Sequence, residues 1–275
     1  MYASDFEYDG LALSDFGMMI GFFHPPGVET VSSGADINFQ TVRATGSDRF
    51  RFYGANYEER YTATLQICKC PWKMNTPYLS PTEISALQRW LCRKDGYHKL
   101  RFISPSHTDI YWNAVFSCKQ INLSGHVVGM EITFYTDAPY AYRKEQTNTW
   151  TLSPGDSFSL YDTSDETGYI YPLTSIACQG SATTPGKINL SNNMEHPDFA
   201  LLLQRVYRDE IITLNGADKT LTSNRKRTDL PSQFGFHFPR IINTSEQRKN
   251  IFTLSKDSVP CTISFTYSPI IKTGI

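Results

Sequence analysis

Four thiols in the first half of the chain could supply ligands to a metal. Cys68-Lys69-Cys70 is followed by Cys92 and Cys118, and four thiolates can hold zinc in a tetrahedral site. A C-x-C pair followed by gaps of about twenty residues is not a standard ligand spacing. No histidine accompanies it, and Cys118 already belongs to a core-facing strand series. Reduced structural thiols are therefore the expectation, with no metal and no cofactor. The six histidines (His24, His98, His107, His126, His196 and His237) stand apart from one another, and the chain carries no G-x-S-x-G, H-E-x-x-H, P-loop or dinucleotide fingerprint. Asp162, Asp165 and Glu166 could form a glycosidase pair or a calcium loop. A Ser/Thr/Asp-rich connection between strands reads first as a solvated turn, so no enzyme activity is expected. Arg225-Lys226-Arg227, between Thr222-Ser223-Asn224 and Asp229, reads as a solvated loop, because a nucleic-acid patch needs aromatic partners or a wider basic surface.

One constellation suits association instead of catalysis. Arg49-Phe50-Arg51-Phe52-Tyr53 combines Arg with Phe and Tyr, the composition enriched at protein–protein contacts. An edge strand turning its arginines to water would look the same.

The elements that must position these residues are mostly strands. Tyr61, Ala63, Leu65 and Ile67 alternate with polar residues, as a half-buried strand does. Ile110 to Cys118 and Val128 to Phe134 repeat that alternation on either side of Asn122-Leu123-Ser124-Gly125-His126, which predicts a β-hairpin over 110–135. One helix is well specified. Ser80 is placed to cap it, Pro81 fits its first position and Glu83 completes a capping box. Ile84, Leu87, Trp90 and Leu91 form its apolar stripe, and Gly96 is the expected stop. Lys99 to Ile103 then resumes extended structure. Residues 41–60, punctuated by Gly46 and Gly54, suit a protruding hairpin or long arm better than a packed core strand.

Met130 to Tyr135 runs as a strand into Thr136-Asp137-Ala138-Pro139-Tyr140-Ala141-Tyr142, where the proline stops it. Beyond that stop the chain becomes Ser/Thr-rich with many short strands. Phe234, Phe236 and Phe238 predict one of them. Ile212 and Leu214 before an Asn215-Gly216 turn, Phe252 and Leu254, and the series Cys261, Ile263, Phe265, Tyr267 predict others. That spacing describes a β-sandwich or jelly roll. Two domains are expected, 1–145 and 146–275, in a mainly β protein with one clear helix.

Composition sets the bounds. The 275 residues are 40% hydrophobic and 13% aromatic, enough for folded cores, and 26 basic against 27 acidic side chains leave a net charge of −1. There is no overall field to attract nucleic acid or an anionic membrane, and self-association is electrostatically unopposed. No apolar run reaches the ~20 residues of a membrane span. The N-terminus lacks a basic and apolar signal segment, so synthesis in the cytoplasm is expected.

Several blocks together resemble the distal tail protein family of long-tailed bacteriophages. Phe6-Glu7-Tyr8-Asp9-Gly10 followed by Leu13-Ser14-Asp15-Phe16-Gly17 is similar to the family's opening strand and its aspartate-aromatic-glycine turn, in which Asp15 and Gly17 are the signature positions. The helix with Trp90, followed by Lys99-Leu100-Arg101-Phe102, fits its next block. Pro139, Tyr140 and Tyr142 resemble its aromatic-proline signature at the end of the N-terminal domain. Ile212 to Gly216, Phe238-Pro239-Arg240, Asn250-Ile251-Phe252 and Tyr267-Ser268-Pro269 are similar to its β-sandwich end more loosely. Ala44-Thr45-Gly46-Ser47-Asp48 departs from the glycine-rich Arg-Asp-Gly turn often seen in relatives.

The resemblance implies a virion protein, made in the host cytoplasm. Its N-terminal domain would form a homo-hexameric ring beneath the last ring of the tail tube protein. Its galectin-like or jelly-roll domain would project outward. The ring would dock the tail-tip hub or tail-associated protein, and the outer domain would carry receptor-binding proteins or touch cell-wall glycans. The subunit interface is expected on the first half, at Arg49, Phe50, Arg51, Phe52 and Tyr53 and at open sheet edges. The competing reading is a carbohydrate-binding module in which Tyr161, Tyr169 or Tyr171 stack on sugars.

Overall fold

The computed structural model describes residues 4–23, 34–72, 76–104, 109–179 and 184–273. His24 and His107 lie outside the described residues. The chain divides into two compact units, Met1–Lys144 with Ile271–Ile275, and Glu145–Ile270.

The first unit contains β1 (Asp5–Tyr8), β2 (Leu11–Ala12), β3 (Met18–Gly21), β4 (Ile37–Arg43), β5 (Phe50–Tyr57), β6 (Thr62–Lys69), α1 (Pro81–Leu91), β7 (His98–Ile103), β8 (Ile110–Leu123), β9 (His126–Thr136) and β10 (Ala141–Arg143). Its sheet runs in the order β2-β1-β7-β8-β9-β6-β3, with β10 added beside β8. The β8–β9 hairpin turns at Ser124 and Gly125, both in the left-handed region (φ 50 and 85), as the twist of a two-residue hairpin turn requires.

Helix α1 forms as its sequence dictates. The Glu83 N–H donates to the Ser80 hydroxyl oxygen at 3.3 Å and the Ser80 N–H donates to the Glu83 carboxylate at 2.7 Å. Ile84, Leu87, Trp90 and Leu91 are its buried residues. The Trp90 ring stacks on Phe6 and on Phe16 at 5.8 and 4.4 Å, and its indole N–H donates to the Tyr8 carbonyl at 3.1 Å. The helix stops at Cys92 and not at Gly96. Gly96 sits in the turn before β7 with φ 117, a left-handed position that serves the turn and not the helix cap.

The Lys69 ammonium, buried on β6, pairs with Glu83 at 2.8 Å. Burial alone would push the Glu83 carboxyl up from its ordinary 4.5, but Lys69 and the Ser80 cap outweigh it and hold the group down to about 2. Stabilisation from Glu83 is therefore complete above about 4.5 and lost as pH falls toward about 2. Ser80→Ala is expected to cost about 1 kcal/mol in urea unfolding. The loss should be smaller near the acid end of that window, where Glu83 no longer returns the cap.

The second unit contains β11 (Gln146–Leu152), β12 (Ser157–Tyr161), β13 (Gly168–Ile170), β14 (Leu173–Cys178), β15 (Gly186–Asn192), β16 (Leu201–Val206), β17 (Ile211–Asn215), β18 (Thr220–Ser223), β19 (Ile241–Asn243), β20 (Lys249–Leu254) and β21 (Cys261–Tyr267). β22 (Ile270–Ile271) spans the boundary at which the chain returns to the first unit. A five-stranded sheet, β11-β21-β14-β17-β18, and a four-stranded sheet, β12-β20-β15-β16, share one core, with β13–β19 as a small third sheet. Phe252 and Phe265 meet edge to face across it at 5.0 Å. This is the β-sandwich that the alternating series predict, and the fold class is mainly β with a single α-helix among the described residues.

One predicted strand is absent. The segment holding Phe234, Phe236 and Phe238 is not extended, because Phe236 takes a left-handed backbone (φ 56) between Pro231 and Pro239. Phe234 and Phe238 fold toward each other at 5.0 Å while Phe236 points to solvent. Asn215-Gly216 opens a longer turn: the Asn215 side-chain oxygen accepts the Ala217 and Asp218 N–H groups at 3.0 and 3.3 Å.

Candidate assembly surface

Strands β4 and β5 form a two-stranded ribbon of their own, joined to no other strand among the described residues. Cross-strand partners share a face. Ile37 pairs with Tyr57, Phe39 with Ala55, Thr41 with Phe52 and Arg43 with Phe50, so one face gathers the apolar side chains. The other face carries Asn38 opposite Asn56, Gln40 opposite Gly54 and Val42 opposite Arg51. A bulge between Gln40 and Thr41 leaves Tyr53 without a partner across the ribbon and bends it at Gly54. The turn is closed by an Arg43–Asp48 ion pair and by Arg43 Nε donating to the Ser47 carbonyl at 2.8 Å.

Among the described residues the apolar face is largely uncovered beyond Tyr57. Phe39, Phe50 and Phe52 are 62%, 66% and 64% exposed, and an isolated two-stranded ribbon is marginal in water. An exposed apolar patch of this kind is a candidate contact surface. The sequence-predicted set Arg49 to Tyr53 thus splits. Phe50 and Phe52 lie on the apolar face, Arg51 on the polar face, Tyr53 in the bulge and Arg49 in the turn, its N–H donating to the Ser47 hydroxyl at 3.1 Å. Sequence reading missed Ile37 and Phe39, which complete the face. Their alternation with Asn38 and Gln40 was the available signal.

The ribbon's base is tied to the strand end marked by Pro139. Tyr57 meets Tyr140 edge to face at 6.4 Å, Tyr140 meets Tyr142 at 5.6 Å, and Tyr142 stacks on Tyr111 of β8 at 5.6 Å. Asp137 leaves β9 by accepting from the Asn113 amide at 2.8 Å and the Tyr142 hydroxyl at 3.4 Å. The chain then rejoins β8 as β10, pairing Tyr142 with Tyr111. Burial raises the Asp137 carboxyl above its ordinary range despite those two donors, and burial with the adjacent Asp137 raises the Tyr142 phenol. Asp15 and Gly17 are equally structural. The Asp15 carboxylate accepts the Ala12 N–H at 2.9 Å, and Gly17, with φ 68, closes the 3-10 turn Leu13–Phe16 that delivers Phe16 to Trp90.

The other residues singled out by type do not converge. No group of three or more His, Cys, Asp or Glu side chains is placed to hold a metal among the described residues. Asp162 is fully buried and accepts from the Asn243 amide, and the Ser164 hydroxyl accepts the Ile270 N–H at 2.9 Å, so the loop is packed at these two positions, while Asp165 is exposed as in a solvated turn. Arg227 corrects the solvated-loop reading of 225–227. It is buried against Glu210, at 3.1 Å to both carboxylate oxygens, and also bonds Asp229. Of the three tyrosines considered for sugar stacking, Tyr161 and Tyr169 are exposed and Tyr169 lies under the Arg240 guanidinium at 4.2 Å.

The six cysteines are free thiols. Cys178 and Cys261 face each other across β14 and β21, and burial pushes each thiol up to about 12. The thiolate is the nucleophile, so near pH 8 each holds roughly a thousandfold less of it than an unshifted thiol. Iodoacetamide is expected to alkylate exposed Cys92 first and to reach Cys178 and Cys261 only after denaturant is added, as peptide mass spectrometry would read. Early labelling of Cys178 would contradict the packing.

Comparison with known proteins gives the setting. No curated protein matches the chain at a significant level. The Dit protein of phage SPP1, described as a paradigm of the hub adsorption apparatus of phages that infect Gram-positive bacteria, is similar in structure with a TM-score of 0.67 at 14% identity, over 97% of this chain and 99% of that one. A chain of the phage P2 baseplate in its activated conformation matches with a TM-score of 0.51 at 9% identity, over 97% and 98%. At such identities the likeness shows a shared fold. Family profiles described as the phage tail protein N-terminal domain and the phage tail C-terminal domain match residues 1–138 and 140–267. The chain belongs to the phage tail protein family.

Proposed function

We propose that this tail protein is a ring subunit at the distal end of the tail, joining the tube to the tip hub. The observation that carries the reading is the ribbon's uncovered aromatic face. A folded protein with nearly balanced charge that leaves Phe39, Phe50 and Phe52 in water is built to be completed by a neighbour. A closed ring needs two different patches on each subunit, one receiving the other. The ribbon is one, and the second patch lies elsewhere on the subunit. The family assignment and the fold shared with a hub adsorption protein and a baseplate chain support six copies around the tail axis. The first unit then meets the tube and hub, and the second unit is available to adsorption partners.

Negative-stain electron microscopy of the purified full chain tests the reading, with single rings of sixfold symmetry as the expected particles. A protein that stays monomeric at tens of micromolar and binds no tail-hub protein would sink it.

A further inference from the structure

Cys178 ends β14 and Cys261 opens β21, and the two are direct partners across that ladder. The hydrogen bonds around them define the kind of rung they occupy. The Gln179 N–H donates to the Pro260 carbonyl at 2.9 Å, which makes the adjacent rung a hydrogen-bonded one, although Pro260 has no N–H to return. Both backbone groups of Cys178 turn the other way. Its N–H donates to the Glu210 carbonyl at 2.9 Å, and its carbonyl accepts the Asp209 N–H at 3.0 Å. Cys178 and Cys261 therefore form a non-hydrogen-bonded pair, the alternate rung at which opposed Cα atoms approach to about 4.5 Å and side chains lie closest. A disulfide spans Cα separations of about 4.4 to 6.8 Å, so the rung is spaced for a bridge.

The side chains also face the same way. Cross-strand partners share a face, and both thiols lie in the one core of the second unit, 2% and 0% exposed. Burial raises both thiols, and Cys261 adds to the rise at Cys178 as a close neighbour does. No other two cysteines share a rung among the described strand pairs: Cys68 lies opposite Met19 and Gly129, and Cys118 opposite Ile132.

We propose that Cys178 and Cys261 are an oxidative modification site, closing into a disulfide by exchange with a low-molecular-weight disulfide once the tail has left the reducing host cell, and so locking β14 to β21. Virion surfaces are among the places where disulfides persist. When the end of the ladder opens, one cysteine thiolate attacks the external disulfide, forms a mixed disulfide and expels one small thiolate. The second cysteine thiolate then displaces the other. One S–S bond forms and one breaks, the two cysteine sulfurs are oxidised, and the two small thiols carry away both electrons and both protons. Closure is slow, because the nucleophilic thiolate is scarce until the rung opens. The pair lies within the second unit, so the proposal does not depend on ring assembly.

The test incubates the purified, reduced full chain with glutathione disulfide, alkylates the remaining thiols in denaturant and maps the cysteines by non-reducing peptide mass spectrometry. A linked Cys178–Cys261 peptide is expected to accumulate slowly toward completion. Hydrogen exchange of the oxidised chain should then show the amides of β14 and β21 at least about tenfold slower than in the reduced chain, with those of the first unit unchanged. Cys178→Ala and Cys261→Ala should each abolish that slowing. Comparing oxidised with reduced protein within each variant cancels whatever packing the substitution costs. Recovery of both residues as alkylated thiols after prolonged exposure, glutathione left on either one without closure, or links from either one chiefly to other cysteines would overturn the proposal. So would a Cys178–Cys261 link that leaves exchange unchanged, or slowing that survives in both variants.

Discussion

Arg227→Ala is expected to destabilise the second unit by about 3–5 kcal/mol, the usual consequence of stranding one member of a buried ion pair. Glu210 is 0% exposed and the Arg227 side chain 9%. The carboxylate accepts from Arg227 Nη1 at 3.1 Å on both oxygens, from the Ser223 hydroxyl at 2.7 Å and from the Tyr207 N–H at 3.0 Å. The guanidinium also donates to the Arg205 carbonyl at 2.8 Å and to Asp229 at 2.9 and 3.0 Å. Truncation leaves Glu210 charged in the interior with only neutral donors. Urea unfolding reads the loss, and hydrogen exchange should localise it to β17 while the first unit's amides keep their protection.

Two variants separate the ion pair from simple packing. Arg227→Lys should recover only part of the stability, because one ammonium cannot reach Glu210, Asp229 and the Arg205 carbonyl in the same fork. Arg227→Met combined with Glu210→Met should lose less than Arg227→Ala alone, since no charge is then stranded. A single-variant cost below about 1 kcal/mol would place this pair with weak surface bridges.

That ion pair shows where sequence reading ends. Arg225-Lys226-Arg227 has the composition of a solvated loop, and nothing local reveals that Glu210, on the far side of β17 and β18, needs a cation. Helix α1 was legible because its determinants are local: Ser80, Pro81 and Glu83 fix its start within four residues. The β8–β9 hairpin was legible for the same reason. Phe234, Phe236 and Phe238 misled because period-2 spacing records side-chain type and not backbone sign, and the left-handed Phe236 breaks the extended path. The ribbon was half legible. Its aromatic β5 strand stood out, but the face became visible only when pairing set Phe39 of β4 two residues along from the Thr41–Phe52 pair, with the two rings 6.4 Å apart. The anchoring of Tyr57 on Tyr140 joins two segments that sequence reading treated as unrelated, and no periodicity could have connected them.

The same face gives the second large effect. Phe39→Asp combined with Phe52→Asp is expected to abolish ring formation while leaving the subunit folded. Both rings are mostly in solvent in the isolated chain, so replacing them costs the monomer little beyond their mutual contact. In an assembled interface each buried phenylalanine is worth about 1.5–3 kcal/mol, so the pair accounts for roughly 3–6 kcal/mol per contact, a weakening of roughly a hundred- to ten-thousandfold. Aspartate adds the penalty of burying a charge without a partner. Sedimentation should therefore show monomer at concentrations where the parent forms rings, with an unchanged far-ultraviolet circular dichroism spectrum. Gln40→Glu with Asn38→Asp, on the opposite face of the same strand, supplies the comparison: it adds the same charge to the same ribbon and should leave assembly within a few fold of the parent. Rings that persist in the aromatic-face variant would remove the ribbon from the interface. Loss of rings in both variants would mean that added charge, and not the aromatic face, prevents association.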